Sequence, residues 1–192
     1  SKDEAEKAQI DKTPELKRNV DYTEYQEGIY IGYRYFDTFG KPVAFPFGYG
    51  LSYTSFKYSD NKVQPSAKTS DKYLTVSCTV TNSGSCKGDE VAQLYALPLS
   101  GQPLKPVQLK GYKRLSLAAG ESAKVSFQVA VDQLAWWSEE GGKSVWTVSP
   151  GDYAFAVGGS SADLALRGNC TLSGNPAKKA LRDEYFALAS VK

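Results

Sequence analysis

The sequence predicts a mostly β chain: an antiparallel two-sheet sandwich with an extended N-terminal ribbon and a short C-terminal helix. Three observations predict it. In LTVSCTVTN, Val76, Cys78 and Val80 alternate with Thr75, Ser77, Thr79 and Thr81. This is the period of two of a strand with one wet face and one dry face. In KVSFQVAV, Val125, Phe127, Val129 and Val131 point one way, and Lys124, Ser126 and Gln128 the other. Finally, about seven strand-like runs follow one another at near-regular spacing with turns between, the pattern of a sandwich of ~100 residues.

Residues 1–20 are charged and poor in large apolar side chains, and Pro14 interrupts any longer helix; they read as a solvated linker or short surface helix. Residues 21–50 form the ribbon, residues 51–172 the sandwich and residues 173–192 the tail. In the ribbon, IYIGYRYFD reads as a strand or extended segment, and Gly40, Pro42 and Pro46 then break it. Ser52 to Tyr58 resumes as a strand. Asn61 to Ser70 is polar and reads as a loop. Val91 to Leu97 is apolar on both faces, hence a central strand. Pro98, Pro103 and Pro106 precede VQLKGYKRLSL. DQLAWW is a short helical or turn segment, SEEGGKS a hairpin-like loop, and the last strands lie at Trp146–Val148, Asp152–Val157 and Ala165–Leu172. In the tail, Asn175 can cap a helix, Pro176 suits its first turn, and Ala180, Leu181, Tyr185 and Leu188 form a stripe near helical spacing.

Several strings are long and particular: EGIYIGYRYFD with FPFGYGLSYTSFKY, then GDEVAQLYALP, LKGYKRLSLAAGES and VSPGDYAFAVGGSS. Together they resemble the C-terminal part of glycoside hydrolase family 3, the β-glucosidase and β-xylosidase family, over roughly Asp21 to Thr171. The resemblance implies that the ribbon ends an α/β-sandwich domain and leads into a fibronectin type III-like domain. It implies as partners the catalytic barrel and the α/β sandwich of the same enzyme, and a periplasmic or secreted bacterial location. In that family the nucleophile is a barrel Asp and the acid/base a Glu of the α/β sandwich. Neither motif is present, so no catalytic residue carries over, and the chain alone is expected to be inactive.

Composition excludes other chemistry. The chain has 23 basic and 21 acidic residues, interspersed, so no basic stripe suits nucleic acid. No apolar run approaches the ~18 residues of a membrane span. The absence of His removes the commonest general base and most zinc and copper sites. No metal and no cofactor are expected. The chain has no Met and opens on no signal peptide; for a piece of a longer protein this says nothing about export. Three Cys without C-x-x-C spacing leave room for one bridge, with Cys86–Cys170 the favoured pairing. Gly48-Tyr49-Gly50 precedes a strand and lacks a Lys, so it is no phosphate loop.

The candidates for function are then few. Adjacent carboxylates at Asp89-Glu90, Glu139-Glu140 and Asp183-Glu184 face opposite ways on a strand or are solvated in a loop, which does not fit a retaining pair ~5–5.5 Å apart. Glu27, Tyr33, Arg34, Tyr35 and Asp37 are candidates for a cleft wall or an interdomain contact, with Arg34 paired to a carboxylate. Trp136 and Trp137 are candidates for stacking on an oligo- or polysaccharide, the basis of an alternative reading as a carbohydrate-binding module. A passive spacer is the third reading. If Ile29, Tyr33 and Tyr35 normally lie against another domain, the chain alone is expected to expose an apolar patch there, and then to self-associate, to fold the ribbon back on the sandwich or to leave the ribbon mobile.

Overall fold

The fold is taken from a computed structural model, in which residues 27–99, 107–179 and 186–192 are described. Residues 1–20, the first part of the ribbon and the Asp183-Glu184 pair lie outside them.

Twelve strands are present among the described residues, arranged in three sheets. The first sheet has the order β1-β3-β6-β12, with β1 at Phe56–Val63, β3 at Tyr73–Asn82, β6 at Ser122–Ala130 and β12 at Leu188–Val191. The second has the order β2-β10-β9-β4-β5, from Ser66–Lys68, Leu166–Ser173, Gly151–Gly158, Gly88–Pro98 and Gln108–Leu117. A small third sheet, β11-β8-β7, joins Ala177–Lys179, Lys143–Val148 and Trp136–Glu140. All strand pairs are antiparallel except β2 with β10.

The core lies between the first two sheets. Across β3 and β6, Leu74 faces Val129, Val76 faces Phe127, Cys78 faces Val125 and Val80 faces Ala123. All eight are buried, as the alternation predicts. The second sheet answers with Ala92, Leu94 and Ala96 from β4 and with Tyr153, Phe155 and Val157 from β9. A one-residue slip of β6 would turn Val125, Phe127 and Val129 outward, at about 1.5–3 kcal/mol each, so the pattern fixes its own register.

Four expectations are corrected. The ribbon is not a strand: Tyr33–Thr38 form the one α-helix among the described residues, α1, entered through Gly32 at φ 59°. Aromatic density reports packing on a surface, not a backbone conformation, and no strand lies alongside to pair with. The Asn61–Ser70 loop holds the end of β1 and all of β2. Its polarity reflects mostly exposed strands, with a bulge between Ser59 and Lys62 where Asp60 sits at φ 52°. The tail is not helical where it is described: β11 pairs with β8 and β12 with β6. Pairing along one edge of those strands gives each tail segment a ladder of backbone hydrogen bonds, whereas a short isolated helix is marginal in water. The Cys86–Cys170 bridge does not form, because Cys170 points into the core from β10 while Cys86 lies in an exposed loop; all three thiols are free.

The DQLAWW segment is helical only as a 3₁₀ turn at Val131–Leu134, and Trp136 opens β7. A β-bulge separates Leu94 and Tyr95 on β4 from Gly111 and Leu109 on β5, leaving Lys110 extra. Gly158 is fixed by space: a Cβ there would lie 1.7 Å from the Asp163 carbonyl oxygen.

Two substitutions test this packing. Phe127→Ala, in the centre of β6, is expected to cost about 3–5 kcal/mol in a urea titration. Gly158→Ala is expected to cost at least ~1–3 kcal/mol, because the clash is with backbone. A loss below ~1 kcal/mol in Phe127→Ala would show that the two sheets do not meet as described, and the same in Gly158→Ala that Asp163 does not pack on the end of β9.

Candidate functional site

The outward side of β4 positions the site. Gln93 and Tyr95 face away from the core, yet they are 4% and 1% exposed. The ribbon covers them. Tyr33 of α1 stacks on Phe47 at 4.6 Å between ring centroids and meets Tyr95 edge-on at 6.0 Å. Its hydroxyl accepts a hydrogen bond of 2.8 Å from the Leu109 N–H, beside the bulge in β5. The Ser161 N–H donates to the Phe47 carbonyl at 2.9 Å.

Two buried carboxamides complete the attachment. Gln93 donates through Nε2 to the carbonyls of Gly48 at 3.2 Å and Gly159 at 2.5 Å, while its Oε1 accepts from the Tyr95 hydroxyl at 2.6 Å. Asn82 donates through Nδ2 to the carbonyls of Cys86 and Leu117, both at 2.9 Å. Its Oδ1 accepts from Thr54 Oγ1 at 2.6 Å and from the Gly84 N–H at 3.1 Å. Buried amides require such partners, and here both are met by backbone and by the ribbon.

The far side of the ribbon is uncovered. Ile29, Ile31, Tyr35, Phe36, Phe39 and Phe45 are exposed, as are Tyr49, Leu51 and Tyr53. The rings pack on one another: Tyr30 and Tyr35 on Phe39, at 5.1 and 5.0 Å, and Phe45 on Tyr49 at 5.4 Å. Of the three residues expected to be exposed, Ile29 and Tyr35 are, whereas Tyr33 is half-buried because it folds back on the sandwich.

Of the other candidates, Glu27 is exposed. Arg34 is half-buried and forms no ion pair among the described residues, so the expected carboxylate partner is not found there. Asp37 lies close enough to Tyr95 to oppose its ionisation, and its Oδ2 is buried without a hydrogen bond. Trp136 is half-buried and donates its indole N–H to Ser149 Oγ at 2.9 Å. Trp137 keeps half its surface exposed and meets Trp146 edge-on at 5.1 Å. Of the adjacent carboxylates, Asp89 and Glu90 have different partners: Asp89 pairs with Arg114 on the surface, and Glu90 accepts a 2.6 Å bond from the Tyr58 hydroxyl between the sheets. Gln93 and Asn82 were missed by sequence reasoning; the one signal for Gln93 is a polar residue inside the apolar run Val91–Leu97.

The electrostatics follow burial. The Tyr58 phenol is pushed up by burial and then by its bond to Glu90. Tyr95 is raised by burial, then by Tyr33 and Asp37. A hydrogen bond from Ser116, and then Arg114, holds Asp89 below the usual carboxylate range. Burial pushes the Cys78 thiol up to about 11 and raises Cys170 as well.

Residues 90–161 match the fibronectin type III-like domain family. The chain is 41% identical to an exo-α-(1→6)-L-arabinopyranosidase of Bifidobacterium longum, over 75% of this chain and 18% of that protein. Its fold matches β-glucosidase 3B of Thermotoga neapolitana, solved with α-D-glucose, at a TM-score of 0.71 and 38% identity, covering 82% of this chain and 21% of that one. It also matches the GH3 β-glucosidase of Bifidobacterium adolescentis at a TM-score of 0.71 and 37% identity, covering 91% and 26%. The chain thus spans about a fifth to a quarter of the length of these proteins.

The thiols give a direct check on the core. At pH 7.5 a thiol reagent is expected to modify Cys86 quickly, and Cys78 and Cys170 only after unfolding. Keeping the Cys78 thiol neutral stabilises the fold fully below the unfolded thiol value, ~8.5, and this contribution is lost as pH rises through about 11. The urea midpoint should therefore fall from pH 8 to pH 10, and less steeply in Cys78→Ala. Equal slopes would remove Cys78 as a cause.

Sequence, fold and the two-sheet core agree that the chain carries the fibronectin type III-like domain of glycoside hydrolase family 3 β-glucosidase-like proteins.

Proposed function

We propose that this chain is the C-terminal, fibronectin type III-like portion of a retaining β-glycosidase that hydrolyses terminal β-D-glucosyl residues, and that its role is domain packing. The observation that carries the reading is the two-sided ribbon. One face is bonded to the sandwich through Tyr33, Phe47 and Gly48, and the other presents an uncovered aromatic surface. The catalytic barrel and the α/β sandwich of the same enzyme are the partners for that surface. They also supply the two carboxylates of a double displacement. Residues Glu27, Arg34, Tyr35 and Asp37 lie on or beside the surface, where they border the cleft or the domain junction.

The relatives support packing over substrate recognition. Proteins named for different sugars, an arabinopyranosidase and β-glucosidases, match this region at similar identity. A module that set the sugar would diverge between them.

The test is to incubate the isolated chain with an aryl β-glucoside, alone and with the separately produced remainder of the enzyme. No turnover alone, and a gain in activity or thermal stability of the remainder on mixing, is expected. Turnover by the chain itself would overturn the reading, and an unaffected remainder would favour a passive spacer.

Trp137 favours a second reading, sugar binding, because half of it is open to solvent on a hairpin. Trp136 is set aside by its buried indole bond. Retention on insoluble glucan that disappears in Trp137→Ala would support it; chromatography unchanged by the substitution would exclude it.

A further inference from the structure

Residues 49–53 lead from the end of the ribbon to β1 and carry the most exposed apolar side chains there: Leu51 is 88% and Tyr53 103% exposed, with Tyr49 beside them. An apolar run so open is expected to collapse onto the protein or to wander. Neither end of this one is free to do so. At the start, the Gly48 carbonyl is held by the Gln93 carboxamide, itself fixed by Tyr95 and by the Gly159 carbonyl. At the finish, Thr54 is held by the Asn82 carboxamide, which bonds at the same time to Cys86, Gly84 and Leu117. The Ser83 N–H adds a 2.8 Å bond to the Ser55 carbonyl. Both carboxamides are buried, and Gln93 and Asn82 stand on β4 and β3, strands of opposite sheets.

We infer that Gln93 and Asn82 are paired clamps which fix residues 49–53 so that the side chains of Tyr49, Leu51 and Tyr53 project outward as a preformed docking loop, with the Tyr53 carbonyl also accepting from Cys86 Sγ at 3.2 Å. The spacing fits the function: five residues lie between the clamped Gly48 and the clamped Thr54. The clamps also explain two local sequence choices. A Cβ at Gly48 would lie 2.2 to 2.6 Å from the Gln93 carboxamide, and Gly48 sits at φ 81°, so only glycine allows this approach. A Cβ at Gly84 would lie 2.1 Å from Thr54 Oγ1, so glycine is needed at the second clamp as well. The occupant is the remainder of the enzyme, since the chain spans only about a fifth to a quarter of its relatives. This last step rests on the proposed function; the clamps do not. A loop fixed before contact loses less conformational entropy on docking, so the clamps contribute to assembly by preorganising the loop.

Amide hydrogen exchange on the full chain tests the clamps. Gly48→Ala and Thr54→Val each disturb one clamp from the ribbon side, leaving the sandwich residues unchanged; Gln93→Leu removes the first clamp from the other side. Exchange of the bonded amides in residues 46–55, those of Tyr49 and Thr54, is expected to rise at least tenfold when their clamp is disturbed, while amides of β3 and β6 stay within twofold of wild type. The Ser161 amide, bonded to Phe47, should be released in Gly48→Ala and retained in Thr54→Val. Unchanged exchange in residues 46–55 overturns the inference, as does a rise shared equally by β3 and β6, which would make these residues merely structural. Binding of the remainder of the enzyme is then compared by titration, with at least a tenfold weaker dissociation constant expected for Gly48→Ala. Equal affinity of variant and wild type overturns the docking role. A wild-type chain that does not bind at all overturns the domain-packing reading and leaves the clamps to the exchange data.

Discussion

Strand β4 is buried on both sides, and the rest of the molecule is arranged to permit it. Its inward row, Ala92, Leu94 and Ala96, enters the sandwich core. Its outward row includes Gln93 and Tyr95, whose amide and hydroxyl would each cost about 1–3 kcal/mol if buried without a partner. Neither is left so. The hydroxyl bonds the amide, the amide bonds two carbonyls, and one of those carbonyls belongs to the ribbon. The ribbon is therefore part of the chemistry of β4. The neighbouring strand cooperates: the outward residues of β9 opposite Tyr95 and Leu97 are Ala156 and Ala154, small enough to leave the space to aromatic rings.

The bulge in β5 extends the same logic. Inserting Lys110 breaks the regular ladder, and the Leu109 N–H next to it is taken by the Tyr33 hydroxyl. Lys110 itself turns inward and donates to the Gln133 carbonyl at 2.5 Å and to Gln108 Oε1 at 2.9 Å, while its own carbonyl accepts the Ala187 N–H at 2.6 Å. One extra residue thus ties the ribbon, the 3₁₀ turn and the segment that opens β12 to a single strand. Bulges commonly re-aim side chains in this way.

What the sequence made legible follows from which forces act locally. The alternation in β3 and β6 is a direct imprint of one dry face, so Val76, Cys78, Val80, Val125, Phe127 and Val129 were readable one by one. The two-sided apolarity of Val91–Leu97 was readable as a central strand, although what covers its outward side was not. Backbone conformation in the ribbon was not legible, because Tyr33, Tyr35 and Phe36 satisfy a helix turn or a strand equally once they have a surface to lie on. The ends of the tail that are described, at Ala177–Lys179 and Leu188–Val191, are strands for a related reason, while Ala180, Leu181 and Tyr185 lie outside the described residues. Its stripe of Ala180, Leu181, Tyr185 and Leu188 has helical spacing, but open backbone on β6 and β8 is a feature of the tertiary structure that no local pattern records. Of the candidate residues, Tyr33 lies on Phe47 and Tyr95, and Trp137 keeps half its surface open to solvent. The ion pair expected for Arg34 was inferred from charge alone and has no counterpart among the described residues. The carboxamides of Asn82 and Gln93 were invisible because their importance lies entirely in long-range partners.

The surplus of aromatic side chains in the ribbon has its own consequence. Of the ribbon's rings, Tyr33 meets Tyr95, and Phe47 stacks on Tyr33. The remaining rings do not add to that contact; they pair among themselves, Tyr30 and Tyr35 with Phe39 and Phe45 with Tyr49, and still leave large apolar areas in water. Such pairs contribute about 0.5–1.5 kcal/mol each beyond their burial. That is enough to bias a short segment and too little to order a ribbon alone. Order must come from the bonded inner face, while the apolar cost of the outer face stays unrelieved within this chain. A surface that is both fixed and unrelieved is the composition of half an interface.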